Sequence, residues 1–242
     1  MRLHLETFDD PEQLARAAAG QILRCAKDSV AARGRFDWLL AGGTTPARTY
    51  RAVAADSAGE KAFWRSVHLY WGDERCVPHD HPESNYLMAR QNLLDHVPVP
   101  PENIHTIAAD LPDPSSAADQ YGIVLPDRPD LVLLGMGEDG HVASLFPYSP
   151  ALDESRRRAV AVVGAKPPHE RITITPPVLR AARQVFVLVS GGAKAEALRR
   201  AFAEQRDFHD TPARLVRDAA WFVDREALAG LRVPFKSGAS AQ

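Results

Sequence analysis

His141 is the residue of this sequence best placed to move a proton. It ends Gly135-Met-Gly-Glu-Asp-Gly-His141, directly after the apolar run Asp130-Leu-Val-Leu-Leu134. A strand end followed by a turn of glycines would present the imidazole with little steric cover. A free imidazole titrates at about 6.5, so at neutral pH it can take a proton from water. Asp139, two residues earlier, could orient the ring or polarise its other nitrogen.

The same stretch spells G-x-G-x-x-G at Gly135, Gly137 and Gly140. A dinucleotide cradle needs a helix opening at those glycines and an acidic residue about 20 positions on. The next apolar run, "AVAVVG", leads into Gly164-Ala165 without an Asp or Glu, and Pro147 and Pro150 shorten any helix after the loop. The stretch therefore reads as a holder for the histidine.

Anion-binding groups recur after other apolar runs. Gly42-Gly43-Thr44-Thr45-Pro46 is a strand–glycine–helix junction whose backbone N–H groups and two hydroxyls can meet a phosphate at a helix mouth. The competing reading is a tight turn with a threonine cap. No GK[ST] follows, so it is not a Walker loop. "SGGAK" repeats the pattern, with Lys194 in a first helical turn where the dipole disfavours a cation. An anion there would compensate; a surface lysine is the alternative. Arg171 opens "RITIT" and offers a planar, permanent charge, or simply ends a strand at the surface. "WGDERC" places Asp73, Glu74 and Arg75 after a Trp-containing run, where they can line a cleft. His79-x-His81 with Glu83 has no matching metal ligands elsewhere and reads as a solvated loop. Ser144 lacks the G-x-S-x-G of a nucleophile elbow.

Elements must exist to carry these groups. Apolar runs of strand character alternate with helical stretches: "LHLETF", "FDWLLAGG", "VHLYWGDE", "IHTIA", "DLVLLGMG", "AVAVVG", "RITITP", "QVFVLVSGG" and "AWFV" are the expected strands. Asp10-Pro-Glu-Gln13 predicts a capped helix start, Leu14, Ala18, Ile22 and Cys25 one buried face, and Gly34 its end. Helices are also expected from Pro46, from Ser84 as cap (with Tyr86, Leu93 and Val97 on one side), over "SSAADQYGIVL", "PVLRAAR" and "AKAEALRRAFAEQ", and after "AWFVD". The alternation predicts an α/β fold: a single doubly wound, mostly parallel sheet with helices on both faces, a Rossmann-like sandwich. One domain is expected over residues 1–235, with 236–242 ("SGASAQ" and its preceding Lys) a frayed tail.

Composition narrows the partners. The 242 residues are 45% hydrophobic with a formal net charge of −2, enough for a core and without the basic field that nucleic acid or anionic membrane requires. Two cysteines, Cys25 and Cys76, make no scaffold and suggest a reducing, cytoplasmic setting. The N-terminus lacks the apolar region of a signal peptide, and no stretch approaches the roughly 20 apolar residues of a membrane helix. A monomer or small homo-oligomer is expected.

Taken in order, "AGGTTP", "WGDERCVPHDHPESNY", "LVLLGMGEDGHVASLFP" and "RITITPPVLRAARQVFVLVSGGAKAEAL" resemble the 6-phosphogluconolactonase family. The resemblance runs along nearly the whole chain. It implies a cofactor-free, metal-free enzyme that hydrolyses the phosphorylated sugar lactone 6-phospho-D-glucono-1,5-lactone to 6-phosphogluconate, the second step of the oxidative pentose phosphate pathway. It implies the fold shared with glucosamine-6-phosphate deaminases. By the same resemblance His141 is the general base, Gly43, Thr44, Thr45, Arg171 and Lys194 surround the phosphate, and Arg75 lies near the reacting end, with Asp139 and Asp73 beside the chemistry. Val142 stands where the family often has threonine. Deaminases resemble the chain through "DGH" and Asp73, but carry a glutamate where this sequence has Phe146, which cannot relay a proton. A sugar-phosphate-sensing regulator is the third reading; no helix-turn-helix or basic surface accompanies it.

Overall fold

In the computed structural model, residues 4–204 and 207–231 are described. The chain opens with β1 (His4–Phe8) and α1 (Pro11–Arg33). Asp10 caps α1 as its spacing predicts: Oδ1 accepts from the N–H of Glu12 and Gln13, and the Gln13 amide reaches back to Oδ2. Leu14, Ala18, Ile22 and Cys25 are buried, and Gly34 closes the helix at φ 74°.

Next come β2 (Phe36–Leu40), α2 (Thr44–Ser57), the single turn α3 (Lys61–Trp64) and β3 (Val67–Trp71). The helix expected from Pro46 thus begins two residues earlier. β4 (Asp73–Arg75) follows β3 after Gly72, then α4 (Asn85–Asn92), α5 (Pro114–Val124) and β5 (Leu131–Gly135). Ser84 caps α4 by accepting from Leu87 N–H, while Leu93 and Val97 are buried beyond it. "IHTIA" forms no strand; only Ile104 bridges to Leu69. The second half holds β6 (Ala159–Val163), β7 (Glu170–Ile174), α6 (Pro176–Ala181), β8 (Gln184–Val189), α7 (Ala195–Phe202) and β9 (Ala220–Asp224). A 3-10 turn at Ala227–Gly230 replaces the expected last helix.

Six strands form a fully parallel sheet in the order β1-β9-β8-β5-β2-β3. The α/β class and parallel sheet agree with the sequence. A single sheet does not: β4, β7 and β6 form a second, antiparallel sheet. The cause is local. Only residues 164–169 connect β6 to β7, and a parallel crossover needs about a dozen or more. At Gly72 the chain changes sheets, donating to Leu40 C=O and accepting from Ile174 N–H.

α1 packs along α2 and against β1, β2 and β9, while α5 covers β6 and β7. One continuous apolar core joins both sheets, centred on Trp38, Leu39, Leu133, Val187 and Trp221 and extending to Ile172 and Ile174. The strand order reverses direction between β2 and β5, the place where open α/β sheets leave a crevice. The predicted tail at 236–242 lies outside the described residues.

Candidate active site

Two buried tyrosines shape the crevice. Tyr50 OH accepts from Ala41 N–H and donates to Ala41 C=O, both at 2.8 Å. Tyr121 OH does the same for Trp71, at 2.7 and 2.8 Å. Each hydroxyl satisfies the backbone where β2 or β3 stops, so the following loop is free of the sheet but rigidly launched. Burial pushes both phenols far above their ordinary pKa, keeping each hydroxyl proton in place to donate.

The cavity beyond these strand ends has a volume of about 250 Å³. Its wall brings together Gly43, Asp73, Arg75, His141, Arg171 and Lys194 from the predicted set, with Gly42, Asn85, Gly137 and Ala143. Thr44 and Thr45 do not line it; they form the first turn of α2 beside Gly43. The threonine-cap alternative also fails: Gly43, at φ 104°, is the cap position and no side chain caps α2.

His141 stands on the loop after β5. Gly137 N–H donates to His141 C=O at 2.9 Å, closing the turn. Its Nδ1 lies 2.5 Å from Asp139 Oδ1. Burial acts to raise the Asp139 carboxyl, but the hydrogen bond and charge of His141 outweigh it and hold it at about 2. An ionised acceptor at Nδ1 fixes the tautomer with the proton there and leaves Nε2 as the base. Phe146 packs on the ring, centroids 4.8 Å apart and planes tilted by 55°.

Three cations line the same cavity. Arg75 and Arg171 are direct partners across the antiparallel β4–β7 pair. Arg171 is only 8% exposed; burial and the facing Arg75 push its guanidinium below its ordinary pKa. Its Nε donates to Pro168 C=O, and its charge lies over the Phe146 ring at 5.7 Å. Arg75 Nη1 donates to Glu83 C=O at 2.7 Å, while Arg75 Nε is buried without a partner. Lys194 ends a 3-10 turn at the start of α7, its Nζ 3.9 Å from Glu138. The start of the "SGGAK" turn is held by an acidic side chain. Gly191 N–H donates to the buried Asp224 carboxylate, as does Ser190 Oγ at 2.6 Å.

Sequence reasoning missed the supports beneath this wall. Asp73 Oδ2 accepts from Ser144 Oγ at 2.6 Å, so that serine holds a carboxylate. Glu74, expected with its neighbours to line a cleft, is not among the lining residues and is 1% exposed. Its Oε1 accepts from Arg75 and Asn85 N–H, its Oε2 from Tyr86 N–H and Ser84 Oγ. Burial raises its pKa against those N–H donors. It clamps the start of α4 to β4, and the signal was present as "SNY", a cap followed by a small amide. His79 and His81 are committed elsewhere: His79 Nε2 donates to Ile107 C=O, and His81 Nδ1 accepts from Glu83 N–H. Among the described residues no group of His, Cys, Asp and Glu could hold a metal ion.

An imidazole with one nitrogen free among the described residues, in one cavity with two guanidinium groups and an ammonium, has the chemistry to activate water beside an anion. Residues 9–223 match the family model described as glucosamine-6-phosphate isomerases/6-phosphogluconolactonase. The 6-phosphogluconolactonase of Nostoc sp. is 38% identical over 246 residues, covering 96% of this chain and 100% of the relative. That of Mycobacterium tuberculosis is 39% identical over 247 residues, covering 96% and 99%. The structure of 6-phosphogluconolactonase from Trypanosoma cruzi superposes with a TM-score of 0.84 at 26% identity, over 96% of this chain and 98% of that one. With that match over most of its length and relatives of this similarity, the chain belongs to the glucosamine-6-phosphate isomerase/6-phosphogluconolactonase family.

Proposed function

We propose that this enzyme hydrolyses 6-phospho-D-glucono-1,5-lactone to 6-phospho-D-gluconate with His141 as general base. It is a lactone hydrolase of the pentose phosphate pathway, as the full-length relatives named 6-phosphogluconolactonase support. The observation that carries the assignment of the base is the Asp139–His141 pair at 2.5 Å, in a histidine that lines the cavity and whose Nε2 has no partner among the described residues.

Water deprotonated by His141 Nε2 attacks C1 as the carbonyl oxygen becomes an oxyanion. Collapse breaks the bond from C1 to the ring oxygen, and the imidazolium returns its proton to that oxygen. The new carboxylic acid ionises, so each turnover releases one proton. Asp139 holds Nδ1–H throughout and stabilises the imidazolium. Arg171 and Lys194 grip the phosphate dianion, with Thr44, Thr45 and the Gly43 backbone at its rim. Arg75 stands toward the reacting end, where its charge stabilises the oxyanion. Asp73, locked by Ser144, supplies fixed negative charge at the sugar. We further propose that the enzyme acts in the cytoplasm, in keeping with the two free cysteines, and that both sheets form one domain.

Proton release in weakly buffered solution, on adding freshly oxidised glucose 6-phosphate, tests the reading. Release well above the spontaneous rate is expected. No excess release, or ammonia from glucosamine 6-phosphate, would overturn it.

A further inference from the structure

Asn85 is a buried amide whose two ends have different fates. Its Nδ2 donates to Asp73 C=O at 2.9 Å and to Asp73 Oδ1 at 3.3 Å. Both neighbours are acceptors, so only one orientation of the amide is possible, with its nitrogen toward Asp73. Oδ1 is turned the other way, against Gly42, where a Cβ would lie 1.9 Å from it. Gly42 is therefore glycine because this oxygen occupies the space a side chain would need.

Among the described residues nothing donates to Asn85 Oδ1, although the residue is only 3% exposed. A buried acceptor without a donor is rare in folded proteins. This one is not among the sealed orphan atoms such as Trp38 Nε1 and Arg75 Nε. It opens onto the cavity that Asn85 and Gly42 line together. The backbone is held as firmly, with Asn85 N–H donating to Glu74 Oε1 at 2.7 Å. An acceptor immobilised from both sides is preorganised for a donor that arrives with the ligand. Phosphate, carboxylate and lactone carbonyl are all acceptors, which leaves a neutral hydroxyl.

We infer that Asn85 Oδ1 accepts a hydrogen bond from one hydroxyl of the sugar, which makes Asn85 a specificity-determining residue. The inference rests on the phosphosugar-lactone reading above. A residue that merely supported Asp73 would use Nδ2 alone, and its loss would be felt equally with every substrate.

The test crosses enzyme variants with substrates that lack one hydroxyl. Wild type, Asn85→Ala and Gly42→Ala are assayed by proton release on the parent lactone and on its 2-, 3- and 4-deoxy analogues. Gly42 has no positive φ, so alanine there displaces the amide without straining the backbone. Wild type is expected to lose about tenfold or more in kcat/KM on one deoxy lactone. Both variants should treat that lactone and the parent alike, within about twofold. If Asn85→Ala fails to fold, Gly42→Ala carries the comparison, repeated as calorimetric binding of 6-phosphogluconate and its deoxy analogues. Penalties that are equal in wild type and variants for every analogue would overturn the inference and leave the lactonase reading standing. An inactive wild type on the parent lactone would remove both.

Discussion

Arg75 and Arg171 stand directly opposite each other in the β4–β7 ladder, two guanidinium groups on one wall of the cavity. Like charges at facing positions of an antiparallel pair are destabilising, and Arg171 is buried as well. On the proposed reading that repulsion eases when the phosphate binds at Arg171 and negative charge develops beside Arg75. Arg171→Met should leave the thermal midpoint of the ligand-free protein unchanged or raised, while KM for the lactone rises about tenfold or more. Differential scanning fluorimetry and initial rates check both halves. A fall in midpoint with KM unchanged would make Arg171 a structural residue.

Ligand linkage gives a second measurement on the same wall. At 100 times its dissociation constant, 6-phosphogluconate should add about 2.7 kcal/mol of stability. Unphosphorylated gluconate at the same concentration should add little, because Arg171 and Lys194 then have no phosphate to bind. Equal stabilisation by both would argue against a phosphate pocket.

His141→Gln should lower kcat by about 10²–10⁴ while product binding is kept. Asp139→Asn should cost less, since it leaves the base present but weakens its orientation. The Asp139 carboxyl, held at about 2 against an ordinary 3.8, adds a pH signature. A depressed carboxylate stabilises the fold above its unfolded value and loses that contribution as pH falls from near 3.8 toward 2. Urea unfolding at pH 5 and pH 3 should therefore show a smaller acid loss in Asp139→Asn than in wild type.

Gly137→Ala is a sharper probe of the histidine than removing it. The added Cβ would fall 2.1 Å from His141 Nδ1 and 2.5 Å from Asp139 Oδ1. Side-chain ends can move aside, so the fold should survive while the pair is pushed apart. Expected is a kcat loss approaching that of His141→Gln, with a thermal midpoint within a few degrees of wild type. Retained kcat would show that the ring is not needed where it stands.

Tyr50→Phe removes both hydrogen bonds to Ala41 from a fully buried site. A loss of about 1–3 kcal/mol in denaturant unfolding is expected, with a kcat change smaller than that of Gly137→Ala. A neutral effect would mean that the end of β2 is satisfied in another way.

Much of the site is legible along the chain because its signals are local. A glycine turn after an apolar run announces His141 and its Asp139 neighbour, and Asp10 and Ser84 announce their helices by cap spacing. For Asn85 and Glu74 the local signal stops at the "SNY" cap and the charged turn, and says nothing of their partners. Each owes its role to partners brought in by β4 and α4, which lie apart in sequence. The "SGGAK" turn holds a contact of the same kind: Asp224, at the end of β9, takes the Gly191 N–H.

The sequence by itself determined the alternation of strands and helices, the α/β class, and which groups are available to bind an anion and move a proton. Periodicity, caps and turn residues act within a few positions, so they survive any arrangement of the rest. Only the tertiary structure decided that β4, β6 and β7 leave the parallel sheet, that two arginines face each other, and that one amide oxygen is left open to the cavity. Those outcomes depend on which distant strands pair and which hydrogen bonds are already taken, and packing the whole core settles both.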